Sequence, residues 1–206
     1  PIFAITANAA AQAGIERLIL VTRAEVEDRL LAEAESHVPD LEVVSVRQDL
    51  AGPPRQRPWG TAHAVAACVD ALDGPFGVAN GDDLYGDPSL SLLGAALADH
   101  PDEGTLVSFE LAGTLSLHGG VSRGICEVVD GTLASVVETH GLMADPAGPV
   151  IDGPFADVPV IDDSGGRYRS DTPASMNLWG LPRRAASTMA ERFERFLAAD
   201  PGPDEE

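Results

Sequence analysis

Helical patterns of apolar and polar positions cover residues 2–13, 24–37, 61–72, 87–100 and 182–199. In these segments apolar side chains return every three or four residues and line one face. Between the early ones lie short runs of strand character. Leu18-Ile19-Leu20-Val21 and residues 75–79 are continuous apolar stretches, as in buried strands, and residues 41–46 alternate. Gly14 stands where a helix C-cap is needed, and Pro39 stops the second helix. Residues 51–58 carry three prolines and two arginines and read as a loop.

The first half therefore alternates strand and helix, which predicts a doubly wound, mostly parallel α/β sheet with helices on both faces. The second half changes character. Residues 105–111, 124–129 and 133–138 read as strands without intervening helices, with Asp130-Gly131 as a hairpin turn. A loop rich in Pro, Gly and Asp is expected over 141–171, then a strand over 175–179 before the last helix. No internal repeat is visible. The expectation is one domain over 1–206, a parallel sheet carrying an antiparallel excursion.

Composition narrows the function classes. The formal net charge is −20, and Lys is absent, so all thirteen basic side chains are Arg. That argues against nucleic acid as a partner, because its binding depends on clustered cations. No apolar stretch approaches the roughly eighteen residues needed to cross a bilayer, and the start of the chain does not read as a secretory signal. A cytoplasmic protein with Cys68 and Cys126 as buried thiols is expected. Oligomeric state is not readable.

Two segments carry candidate chemistry. In open α/β sheets ligands bind beyond the carboxyl ends of strands. Pro75-Phe76-Gly77-Val78-Ala79-Asn80-Gly81-Asp82-Asp83 is a buried strand running into carboxylates. From an extended backbone only one of Asp82 and Asp83 could face an ion. Hard Mg²⁺ suits such an oxygen ligand and takes few protein ligands plus phosphate oxygens. A plain turn rich in Asn, Gly and Asp explains the same residues. The second segment is Arg57-Pro58-Trp59-Gly60-Thr61-Ala62-His63-Ala64-Val65, a rigid loop, a glycine and a helix start. Backbone N–H groups there could meet a base or a phosphate. Capping by Thr61 with Trp59 packed as a hydrophobic staple explains it equally well, with His63 as a packing residue.

Together the two segments resemble the sugar-1-phosphate nucleotidyltransferase family, which includes UTP–glucose-1-phosphate uridylyltransferases and glucose-1-phosphate thymidylyltransferases. The resemblance extends in order through Thr114-Leu115-Ser116, His118-Gly119, residues 121–128, Ser135-Val136-Val137-Glu138 and Ser175-Met176-Asn177-Leu178-Trp179-Gly180. It implies the nucleotide-diphospho-sugar transferase type of fold and a reaction between a nucleoside triphosphate, UTP or dTTP, and a sugar 1-phosphate that releases pyrophosphate. It implies Asp82 as the catalytic Mg²⁺ ligand and Trp59, Gly60, Thr61 and Asp82 at the nucleotide. Gly124, Glu138 and Asn177 would then lie at the sugar.

Against the family pattern, the N-terminal strand with its Gly-rich phosphate loop and a C-terminal segment with a second metal ligand are expected to be lacking. Both ends look like cuts through a longer protein. The position of a family Lys holds Thr139-His140. Two other classes compete: a non-catalytic remnant that at most binds a nucleotide sugar, and a metal-dependent glycosyltransferase of related fold using Asp82-Asp83. The Trp-Gly-Thr-Ala-His segment argues against the latter, and no Gly-x-Gly-x-x-Gly follows a strand, which disfavours a Rossmann dehydrogenase.

Overall fold

The computed structural model describes residues 1–54, 58–147 and 159–199, which form two compact units. The first comprises Pro1–Thr105 together with the chain from Trp179 onward, and the second comprises Leu106–Leu178.

The first unit opens with α1 (Ile2–Gln12), β1 (Arg17–Thr22), α2 (Glu27–His37) and β2 (Glu42–Arg47). Gly14 takes φ +89 just beyond α1, where the turn out of the helix requires a left-handed residue. β1 and β2 pair in parallel, Arg17 opposite Glu42 through Thr22 opposite Arg47. Their side chains alternate between two cores, as a strand's period of two demands. Leu18, Leu20 and Val43 pack with Ala4 and Ala7 of α1 and Ala34 of α2. Ile19 and Val46 pack on the other side with Val65 of α3 (Thr61–Ala67), Cys68 just past it and Ala186 of α5 (Arg183–Ala198). This pair of strands is covered on both faces, as the sequence pattern predicts.

β3 (Phe76–Val78) sends Phe76 and Val78 into the same α3–α5 core and is followed by α4 (Asp87–Asp99). Its ladder partner is the end of β9 (Pro173–Leu181), in antiparallel register with Val78 opposite Trp179. Gly94 lets α4 approach the end of α1, since a Cβ there would run into the Ala13 backbone carbonyl. The helix predicted over 61–72 splits into α3 and a 3₁₀ turn at Val69–Ala71.

The second unit holds β4 (Thr105–Glu110) from Leu106 on, a 3₁₀ turn at Leu111–Thr114, β5 (Val121–Val129), β6 (Thr132–Ala144), β7 (Val160–Ile161), β8 (Arg167–Tyr168) and the first part of β9. The strand order here is β9-β5-β6-β7-β8, with β4 also on β9. All the registered pairs along β9-β5-β6-β7-β8 are antiparallel. Leu111, Leu142, Val160 and Ala174 form its core. Asp130 and Gly131 take φ 50 and 75, which fits the tight hairpin expected between β5 and β6.

Two expectations need correction. The larger sheet is mostly antiparallel rather than part of a doubly wound parallel sheet. Strands joined by a two-residue turn, as β5 and β6 are, can only pair antiparallel, whereas parallel pairing needs a long crossover such as the one through α2 that joins β1 to β2. The loop expected over 141–171 is also partly strand. β6 continues to Ala144, and β7 and β8 lie within the segment. Its residues 148–158, like Arg57 of the loop at 51–58, lie outside the described residues.

Candidate functional site

In the first unit β3 delivers its carboxyl end to the turn at 80–83. Asn80 Nδ2 donates to Asp83 Oδ2 at 2.8 Å, and Thr6 Oγ1 of α1 donates to the Asp83 carbonyl oxygen at 3.2 Å. Asp82 is exposed, with no hydrogen bond or ion pair recorded among the described residues. The geometry separates two carboxylates that the sequence leaves equivalent. Asp83 is tied into the turn, and Asp82 is free to meet a ligand. Tyr85, 5% exposed, closes the turn by accepting the Asn80 backbone N–H at 2.9 Å. Burial pushes its phenol up to about 12, so it stays a neutral hydroxyl.

The second element of this unit is the start of α3. Gly60 has φ 91 and ψ −178, a conformation open essentially to glycine alone. Its carbonyl accepts from Gln48 Nε2 at 3.1 Å, and the same amide group donates to His63 Nδ1 at 3.2 Å. His63 Nε2–H donates to the Ala51 carbonyl. These two bonds fix the ring as the neutral Nε2–H tautomer. Burial holds its pKa below the usual histidine range, opposed in part by the Ala51 carbonyl. Gln48 is the residue that sequence reasoning missed. A glutamine just past a predicted strand has no spacing that singles it out.

Thr61 is the first helical residue and caps nothing with its side chain. Trp59 packs edge-on against Phe193 and Phe196 of α5, with ring centroids 5.7 and 5.8 Å apart, and its indole N–H donates to the Pro53 carbonyl at 3.4 Å. His63 lies 4.2 Å from Phe193. The indole thus holds the loop against α5, a tertiary contact rather than a staple within α3.

In the second unit Gly124 stands opposite Glu138 of β6 on one side and opposite Ser175 of β9 on the other. These three residues form a row across adjacent strands. A Cβ on Gly124 would lie 2.6 Å from Val136 Cγ1 and 4.0 Å from Glu138 Oε2, so the glycine permits the close approach. Glu138 is exposed, whereas Ser175 is 7% exposed and accepts the Asn177 backbone N–H at 3.2 Å through its hydroxyl. Asn177 has φ 60 inside a strand. Non-glycine residues at such angles are uncommon and cluster at ligand sites.

The structure therefore brings Gly124, Glu138 and Asn177 together through Ser175, and it places Gly60 and Asp82 in the other unit. Among the described residues no three His, Cys, Asp or Glu side chains are arranged to hold a metal ion. A lone exposed carboxylate fits a Mg²⁺ ion whose other ligands are phosphate oxygens and water, and does not fit a resident protein-only cage. A groove of about 570 Å³ opens beside α2 and β2, lined in part by Leu31, Glu35, Val38 and Leu41, and none of the expected site residues lines it. No described helix is long and apolar enough to cross a membrane.

No protein-family model and no curated protein matches the chain. Among solved structures it is similar to a UDP-glucose pyrophosphorylase complexed with UDP-glucose, at 14% identity and a TM-score of 0.44, over 93% of this chain and 67% of that one.

Proposed function

We infer that the chain carries the binding machinery of a sugar-1-phosphate nucleotidyltransferase. The observation that carries the reading is the turn at 80–83, which ties Asp83 back to Asn80 and leaves the Asp82 carboxylate exposed at the end of a core strand. The ordered resemblance from residues 58–65 through 175–180 supports it independently.

In this reading the base of UTP or dTTP lies against the backbone of Gly60, whose extended left-handed conformation keeps side-chain bulk away. Gln48 holds that backbone by its carbonyl and His63 holds Gln48. Asp82 would hold a Mg²⁺ ion that arrives with the nucleotide, and that ion would supply charge neutralisation at the phosphates. Glu138 accepts hydrogen bonds from sugar hydroxyls, the Gly124 backbone lies against the ring, and Asn177 adds a polar contact. A phosphate oxygen of the sugar 1-phosphate then forms a bond to the α-phosphorus while the bond to the bridging oxygen of pyrophosphate breaks. The protein contributes alignment and electrostatics, and no covalent enzyme intermediate is needed.

The test is pyrophosphate release with Mg²⁺, for UTP and for dTTP with glucose 1-phosphate, on this chain and on the full open reading frame. Turnover that Asp82→Asn abolishes supports the reading. Nucleotide-sugar binding without pyrophosphate release from either protein would instead establish a binding role.

A further inference from the structure

The turn after β3 is held more firmly than a surface turn requires. Three tethers converge on it: Asn80 N–H to the Tyr85 hydroxyl at 2.9 Å, Asn80 Nδ2 to Asp83 Oδ2 at 2.8 Å, and Thr6 Oγ1 to the Asp83 carbonyl at 3.2 Å. Asn80 is the centre of the arrangement, with its main chain on Tyr85 and its side chain on Asp83. The phenol of Tyr85 is buried, while the neighbouring Leu84 is 60% exposed, so the chain turns its polar aromatic inward beneath the turn and its aliphatic outward. Asp82, between these residues, is exposed.

We propose that Asn80, Asp83 and Tyr85 are positioning residues that fix the Asp82 carboxylate for a divalent cation arriving with a nucleoside triphosphate, and that Asp83 is withheld from the cation by its bond to Asn80. This rests on the nucleotide–metal reading above. A carboxylate on a loose turn must be ordered when it binds, and that entropy is subtracted from affinity, whereas a pre-set turn avoids the loss. Withholding one of two adjacent carboxylates also keeps like charges from competing for one ion.

Mn²⁺ serves as the probe, its free-ion paramagnetic resonance signal titrated with protein in the presence and absence of UTP. Hydrogen exchange at the Asn80 amide is the second readout, since it reports the turn whether or not a ligand is bound. Asp82→Asn should remove UTP-dependent Mn²⁺ binding. Tyr85→Phe, which keeps the buried ring, should weaken it about five-fold, the equivalent of one neutral hydrogen bond. It should also speed exchange at Asn80. Asp83→Ala should weaken binding similarly, while Asp83→Asn keeps an acceptor oxygen for Asn80 and should bind as the wild type does.

If Tyr85→Phe and Asp83→Ala bind like the wild type while Asp82→Asn does not, the positioning proposal fails and the nucleotide–metal reading survives. If Asp83→Asn loses binding that Asp82→Asn retains, the two aspartates have the opposite roles and the proposal is overturned. If the wild type binds Mn²⁺ with UTP no better than Asp82→Asn does, both fall. Cooperative thermal melting of each variant separates these results from misfolding.

Discussion

At the scale of single residues, the difference between what a sequence suggests and what a fold uses is clearest around Gly60 and Asp82. Asp82 and Asp83 are chemically identical on paper, and in the fold the Asn80 amide and Thr6 hold Asp83 while Asp82 is exposed. Trp59 and Thr61 show the converse. Their position before a helix offers two explanations, and the contact partners of Trp59 lie on α5, more than a hundred residues on in the sequence. No local pattern contains that information. The same is true of Gln48, whose two acceptors belong to α3 and to the glycine before it. His63 makes this brace sensitive to pH. Its folded-state pKa is lowered, so the unfolded chain binds a proton more readily than the folded one, and folding stability rises with pH through that range. The contribution is fully present above the ordinary histidine value and is lost as pH falls below it. A protonated ring would also turn both nitrogens into donors and expel the Gln48 amide. Urea denaturation at pH 7.5 and pH 5.5 should therefore show a larger loss of stability for the wild type than for His63→Gln. Equal losses in both proteins would show that this ring does not titrate on unfolding.

At the scale of elements, legibility followed the locality of the forces. α4 and α5 sit close to their predicted spans, as does the hairpin turn at Asp130-Gly131, because helix periodicity and left-handed turn residues act over a few positions. Strand direction was not legible for β9. Its final residues pair with β3 and its earlier ones with β5, and both choices are made by partners far along the chain. The extension of β6 to Ala144 was hidden for a related reason. Gly141, at φ 66, reads as a loop residue, yet it sits within the strand beside Asp163, where a Cβ would meet that side chain at 2.7 Å. Gly94 is a second glycine whose role is tertiary. In the sequence it is a weak helix former inside α4, and in the fold it allows α4 to touch the end of α1. Gly94→Ala improves helix propensity and overpacks this contact against a backbone carbonyl that cannot rotate away. The expected outcome is net destabilisation of about 1–3 kcal/mol. Gly74→Ala, where a Cβ meets nothing within 4 Å, is the control and should change stability by less than about 0.5 kcal/mol. Chemical denaturation of the two variants decides it, and a stabilised Gly94→Ala would mean that α1 can move aside at little cost.

At the scale of the whole molecule the dominant property is charge. The net formal charge of −20 was readable from composition, and it says nothing of the fold. What the structure adds is where the scarce cations are placed. Arg47 lies between Glu27 and Asp49, holding the Asp49 carboxyl down to about 2, with Ser45 donating to Glu27 at 2.6 Å. Arg17 joins Glu42 and Asp73, Arg169 faces Asp171, and Arg184 faces Asp102. Nearly all of these pairs are at least partly exposed, so each contributes about 0–1 kcal/mol and is weakened by salt. Against them stands the repulsion among the remaining carboxylates, which is weaker in the expanded unfolded chain and is screened once the Debye length falls from about 30 Å at 0.01 M to about 10 Å at 0.1 M. With a surplus of twenty negative charges, the many long-range repulsions outweigh the few short-range attractions. The melting midpoint at pH 7.5 should accordingly rise when NaCl is taken from 0.01 M to 0.3 M, where a protein stabilised chiefly by its ion pairs would melt earlier. Melts in choline chloride at the same ionic strengths separate screening from specific cation binding. An equal rise in both salts follows from screening, and a rise confined to one salt would trace the effect to a bound ion instead.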